Sequence, residues 1–231
     1  MNEIINLFKA PNKIERIEDI FTDSSLRAIG IIADVNQGKS NVIYHCIKAL
    51  QENYEVSIFS YGLHMDVEGM YKINSINELE NIHDSIVFID EFPSLFRLSN
   101  KRQVEKFEES MRKVFQHTSN NIVVICGLAH NFNKFLSGLL QVIILKQSTL
   151  EDFIQRSPIQ QAVASFSPSG MKYVGKGSTL LTMPKNVALI YNVIATPAWT
   201  EVIIPHEKEY DSKALFCQPI LKPKIAQDSA G

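Results

Sequence analysis

Cysteine is scarce and unpatterned in this chain. Cys46, Cys126 and Cys217 stand alone among 231 residues. No CxxC pair and no Cys/His cluster has metal spacing, so neither a zinc site nor a disulfide framework is expected, and a reducing compartment suits the chain. The six histidines are scattered as well, and His117 and His206 read as surface residues. Charge of one sign is also missing: 23 Lys and Arg stand against 25 Asp and Glu, a net charge of −2. A broadly basic, nucleic-acid-coating surface is therefore not written into the composition. No apolar run is long enough to span a bilayer. The N-terminus, with Glu3 and Glu15 among short apolar runs, lacks a signal-peptide pattern, so a cytoplasmic location is expected (host cytoplasm or virion-associated if the chain is viral). Repeats and low-complexity tracts are absent. The 45% apolar and 21% charged fractions are those of a globular protein, and the length fits one α/β domain with additions.

What is present begins at Ala33-Asp34-Val35-Asn36-Gln37-Gly38-Lys39-Ser40. The apolar run Ala28 to Ile32 leads into it, and a helical pattern from Asn41 to Gln51 leaves it. A buried strand, a tight turn and a helix start together aim free backbone N–H groups at an anion. In such a loop Gly38 lets the backbone approach phosphate, Lys39 reaches the β- and γ-oxygens, and Ser40 ligates Mg²⁺. The bland alternative is a surface turn with a solvated lysine. Ala33 stands where the stricter pattern has glycine.

A second feature shifts the balance. Ser85 to Ile89 is an apolar run ending in Asp90-Glu91, about fifty residues after the loop. A run of this kind suits a central parallel strand, and its carboxyl end is where ligands bind in open α/β sheets. Asp90 there would hold the Mg²⁺ of a nucleotide seated on the loop, and Glu91 would deprotonate the attacking water. Alone, an Asp-Glu pair after a strand is an ordinary loop pair.

On these two motifs, Ala33 to Ser40 (Walker A) and Ile86 to Glu91 (Walker B with its glutamate), the chain resembles the P-loop NTPases of the additional-strand, catalytic-glutamate division. That group includes RecA-like, FtsK/HerA-like and viral DNA-packaging ATPases. The resemblance covers Leu26 to about Gln147. It implies a three-layer α/β fold with a mostly parallel central sheet, an ATP site with Mg²⁺, and hydrolysis. Ala33, Val35, Asn36, Gln37, Gly38, Lys39, Ser40 and Asn41 would cradle the nucleotide, and Ser40 and Asp90 would hold the metal. ATP fits better than GTP, because Asn133-Lys134 is followed by Phe135-Leu136 and no Asn-Lys-x-Asp signature exists.

Along the chain, residues 1–26 read as a lead-in with a short helix near Ile14 to Phe21, and 27–165 as the P-loop core. Residues 166–218 read as a small β-rich extension packed on the core, and 219–231 as a flexible tail. Within the core, strands are expected at about 27–33, 55–60, 85–89, 121–128 and 140–146. Helices are expected at about 39–52, 76–82, 102–118 and 150–164. Val42, Ile43, Cys46, Ile47 and Leu50 form the core-facing stripe of the first helix, and Val104, Phe107, Met111, Val114 and Phe115 that of the helix at 102–118. The alternation implies right-handed crossovers and a parallel sheet. Short strands are expected near 171–174, 179–183, 187–191 and 201–204.

The resemblance also implies accessory groups. A polar residue past the 121–128 strand would sense the γ-phosphate, and His130 or Asn131 fits, although Asn131 equally suits a helix cap. A ring ATPase needs an arginine given across a subunit interface. Arg97, Arg102, Arg112 and Arg156 are candidates, with Arg102 and Arg156 near element ends; each reads more readily as a solvated surface residue than as a finger. The leading expectation is an oligomeric ring ATPase that hydrolyses ATP to translocate or package double-stranded DNA, with a portal, capsid or membrane-complex protein as a possible docking partner. An ATP-dependent switch or assembly factor acting on a protein partner is the alternative. A small-molecule kinase would need an arginine-rich lid, and no such cluster is present.

Overall fold

The computed structural model describes residues 16–23, 26–90, 101–116, 120–128, 132, 134–146, 148–149, 171–173, 179–181, 186–192 and 199–207. Eight strands form one sheet: β1 (Ala28–Ile32), β2 (Ser57–Tyr61), β3 (Met70–Lys72), β4 (Ser85–Ile89), β5 (Ile122–Gly127), β6 (Val142–Leu145), β10 (Val187–Asn192) and β11 (Trp199–Ile203). Their spatial order is β11-β10-β6-β1-β5-β4-β2-β3. The six strands from β6 to β3 are all parallel. Antiparallel β10 and β11 extend the β6 edge. Three short strands, β7 (Ser148–Thr149), β8 (Met171–Tyr173) and β9 (Thr179–Leu181), make a separate antiparallel sheet in the order β7-β9-β8. The expected α/β class with a mostly parallel sheet is what the chain adopts.

The run-like composition of β1, β4 and β6 reflects burial on both faces: every residue of these three strands is buried. The α1 helix (Lys39–Asn53) covers one face, and its predicted stripe Val42, Ile43, Cys46, Ile47 and Leu50 is fully enclosed against Ile29, Ile31, Phe88, Val124 and Ile144. Burial, and secondarily the charge of Glu18, pushes the Cys46 thiol well up. It is a small core hydrophobe rather than a nucleophile. Leu140, the residue after the helix α3 (Lys134–Leu139), packs over Gly30 of β1. The helix α2 (Lys101–Gln116) buries Met111 and contacts a 3-10 helix, Ile76–Asn81, where Lys113 pairs with Glu80 at 3.2 Å.

Two features set the site. β5 lies between β1 and β4. Asn121 fixes the start of β4 beside β5: its Oδ1 accepts from the Ser85 N–H at 3.1 Å, and its Nδ2 donates to the Ile82 carbonyl at 2.6 Å. Strand ends match the sequence pattern to within two residues or so; helix α3 lies where Asn131 was read as a helix cap, while β3 and the separate strand β7 had no expectation attached. The helix expected over 150–164 lies outside the described residues, as does the tail 219–231. Among the described residues no helix is long and apolar enough to cross a membrane.

Candidate functional site

β1 ends in the core and releases the chain at Ala33, whose N–H still donates to the Gly127 carbonyl at 3.4 Å, prolonging the β1–β5 ladder. The loop then turns tightly, with Gln37 N–H donating to the Asp34 carbonyl at 3.3 Å. Asn36 takes φ 61° and Gly38 takes φ 81°, both left-handed. Asparagine tolerates that region and glycine has no Cβ to oppose it, so this pair suits the turn. Gly38 is also the N-cap of α1 and offers no capping side chain. The helical ladder begins with Val42 N–H to the Gly38 carbonyl at 3.2 Å. The N–H groups of Lys39, Ser40 and Asn41 precede that ladder and face outward at the positive end of the helix dipole.

Lys39 folds back over the loop, its Nζ donating to the carbonyls of Asp34 at 2.8 Å and Ala33 at 3.2 Å. Ser40 Oγ donates to Asp90 Oδ2 at 3.1 Å. Asp90 directly follows β4, is 2% exposed, and is held by its own N–H to the Tyr61 carbonyl at 2.9 Å. The geometry thus joins Ser40 and Asp90, fifty residues apart, at the carboxyl edge of the sheet. A hydroxyl and a carboxylate oxygen in contact are hard oxygen donors of the kind Mg²⁺ takes, with waters and phosphate oxygens filling the remaining positions. Among the described residues no group of three or more His, Cys, Asp and Glu could hold a metal ion.

Other sequence candidates fare differently. Glu91, His130, Asn131, Arg97 and Arg156 lie outside the described residues. Arg102 is exposed on the first turn of α2, and Arg112 is exposed further along it. Asn41, expected beside the nucleotide, has both side-chain atoms engaged elsewhere: Nδ2 donates to the Pro205 carbonyl and Oδ1 accepts from the Glu207 N–H, each at 2.9 Å. Val35 is 63% exposed at the loop tip.

Three residues at this edge were not foreseen. Lys146 follows β6, beside Ala33, and is only 1% exposed; its N–H donates to the Ile32 carbonyl at 2.9 Å and its Nζ to the Val187 carbonyl at 3.0 Å. Burial lowers its pKa to about 8. A lysine closing an apolar run is the only sequence signal for it. Glu207 and His45 meet at 2.9 Å across 162 residues, a contact with no local signature.

No family model matches the chain, and no curated protein matches it. Solved structures do. The genome packaging NTPase B204 from Sulfolobus turreted icosahedral virus 2 in complex with AMPPCP superposes with a TM-score of 0.53 at 12% identity, over 78% of this chain and 99% of that one. Its sulfate complex gives 0.52 at 13% identity over 78% and 98%. B204 from Sulfolobus turreted icosahedral virus, a DNA-packaging ATPase, gives 0.50 at 12% identity over 77% and 98%. At this level of identity the likeness is one of fold, and it spans nearly the whole of each neighbour. The chain has the P-loop NTPase fold of these packaging enzymes, with six parallel strands, flanking helices and a small antiparallel addition.

Proposed function

We propose that this protein is a Mg-dependent ATPase that uses ATP hydrolysis to translocate or package DNA. The observation that carries the reading is the Ser40–Asp90 contact at 3.1 Å across the mouth of the Ala33–Ser40 loop. It joins an anion-binding helix start to a buried acid at the edge where α/β sheets take ligands. The likeness to packaging NTPases supports the choice of task.

In this reading the N–H groups opening α1 bind the phosphate oxygens. Lys39 moves from the Ala33 and Asp34 carbonyls to the β- and γ-phosphates. Ser40 and Asp90 hold the metal, which when bound neutralises charge developing on the phosphoryl oxygens. Glu91, next to Asp90 in the chain, takes the proton of the attacking water. His130 or Asn131 orients that water, and an arginine from a neighbouring subunit of a ring, Arg102 or Arg156 being candidates, meets the transition-state charge. Water excluded around the buried Asp90 strengthens each of these electrostatic terms.

The test is steady-state ATP hydrolysis with and without double-stranded DNA, using Glu91→Gln as control. Turnover that rises with DNA and vanishes in the variant is expected. Binding of ATP without turnover in either condition would reject the motor and favour a switch acting on a protein partner. Turnover at the parent rate in Glu91→Gln would reject Glu91 as the base.

A further inference from the structure

The chain after β11 returns to the helix that opens from the nucleotide loop. Asn41, directly after Ser40, clamps Pro205 and Glu207 by two reciprocal hydrogen bonds of 2.9 Å. One turn further along α1, His45 Nδ1 meets Glu207 Oε1 at 2.9 Å, and one turn beyond that Lys48 Nζ meets Glu207 Oε2 at 3.3 Å. Positions 41, 45 and 48 form one stripe of the helix, and all three grip a single four-residue segment, Ile204–Glu207. Ile204 is itself fully enclosed in the core beneath α1. The Glu207 side chain is only 11% exposed. Burial alone would raise its pKa, but the hydrogen bonds and charges of His45 and Lys48 outweigh that and hold the carboxyl below its ordinary value.

The grip has a second jaw. His45 Nε2 faces Glu18 Oε2 at 3.9 Å, on the 3-10 helix (Ile17–Thr22) that precedes β1. That oxygen is buried and, among the described residues, accepts no hydrogen bond, while Glu18 Oε1 pairs with Arg16 at 3.2 Å. One imidazole thus stands between carboxylates from two distant parts of the chain, over the helix whose first turn presents the anion-binding N–H groups.

We propose that Ile204–Glu207 is a positioning latch for the nucleotide loop, with Glu207 acting through His45, Lys48 and the Asn41 clamp to hold the first turn of α1. The proposal rests on the nucleotide reading of that loop. A latch that favours the binding-competent helix start must itself be tightened by the ligand, and by the same factor, because coupling between two sites is reciprocal. The side chains of Glu207 and Lys48 lie one turn or more from the loop, and Glu207 reaches Asn41 only through its backbone N–H, which an alanine at 207 keeps, so replacing either side chain removes no direct ligand contact.

The experiment pairs amide hydrogen exchange at Ile204–Glu207 with titration of a fluorescent, non-hydrolysable ATP analogue in the presence of Mg²⁺. It uses the full chain, Glu207→Ala and Lys48→Ala. The analogue is expected to slow exchange in the segment of the parent by about fivefold or more. Glu207→Ala should speed exchange there and weaken analogue affinity by a similar factor, with Lys48→Ala intermediate in both. Fast exchange in Glu207→Ala with parental affinity would overturn the latch while leaving the nucleotide reading intact, as would analogue binding that leaves the segment's exchange unchanged. A parent that binds no analogue would remove the nucleotide reading and the latch together.

Discussion

Replacing Lys146 by methionine tests the electrostatics at the sheet edge beside the loop. The side chain is 1% exposed and its ammonium meets the Val187 carbonyl at 3.0 Å. Burial moves its pKa from 10.5 to about 8, which corresponds to roughly 3 kcal/mol of lost preference for the charged form. Below the folded value, both folded and unfolded chains carry the proton and the whole penalty stands. Between about 8 and 10.5 the unfolded chain binds more protons than the folded one, so stability rises with pH across that window. Above it both forms are neutral and the penalty is gone. Methionine has similar reach without the charge, but it abandons the bond to Val187, worth about 1 kcal/mol. Lys146→Met is therefore expected to be about 2 kcal/mol more stable than the parent at pH 7. Above the window, where the charge penalty is gone, loss of the Val187 hydrogen bond should leave it about 1 kcal/mol less stable. Urea denaturation at a series of pH values, with the slope m checked for constancy, reads this directly. Parent and variant curves that run parallel with pH would refute the reasoning, because they would mean that the buried ammonium carries no penalty.

Other expectations follow from the same structure. Gly30→Ala places a methyl group 2.6 Å from Leu140 Cδ1 and should cost about 1–3 kcal/mol in thermal or urea unfolding; adding Leu140→Val should recover part of it, and a neutral Gly30→Ala would show that the two residues do not meet there. Lys39→Ala should weaken binding of the ATP analogue roughly tenfold to a hundredfold while circular dichroism stays parental, since the ammonium bonds the carbonyls of its own loop. Glu207, with a carboxyl held below its ordinary value, stabilises the fold above that value and loses the contribution as pH falls through the folded one. The stability gap between the parent and Glu207→Gln should thus narrow as Glu207 takes up its proton in acid, and a gap that does not narrow there would remove the contacts with His45 and Lys48 from the account.

The parts of the fold legible in the sequence are those built from short-range regularity. The strands β1, β4, β5 and β6 are apolar runs because they are covered on both faces, and α1 shows its five core residues at helical spacing. The loop was legible for the same reason: a glycine, a lysine and a serine in consecutive positions carry the geometry of a left-handed turn into a helix start. What escaped was fixed by pairing between distant segments. β3 is a three-residue edge strand with one intermediate and two exposed side chains, so no pattern marks it. That β10 and β11 run antiparallel on the β6 edge is set by contacts such as Ile190 against Ile144, and alternation alone does not choose an edge. Asn41 was assigned to the nucleotide by its place in the motif. Its side chain is engaged by Pro205 and Glu207, which lie more than 160 residues away along the chain, a pairing no local pattern marks.

This division between local and distant determinants has a consequence for the site itself. The loop, Lys39 and Ser40 come from one stretch, and a turn of that sequence would form a phosphate cradle wherever a strand and a helix flank it. Asp90 reaches Ser40 only because β5 inserts between β1 and β4 and the β4–β5 register is fixed by Asn121. The far side of α1 is held by residues that follow the last strand of the sheet. In the proposed reading, binding of phosphate belongs to a short segment, whereas placement of the acid and of the helix start depends on the assembled sheet. A change at Asn121, which touches neither loop nor acid, should accordingly leave phosphate affinity nearly intact and impair the metal-dependent step. Asn121→Ala removes the Ser85 and Ile82 bonds, and the expected signature is a fall in kcat with little change in the affinity for the ATP analogue. Equal loss of both would place Asn121 in general stability rather than in the alignment of β4.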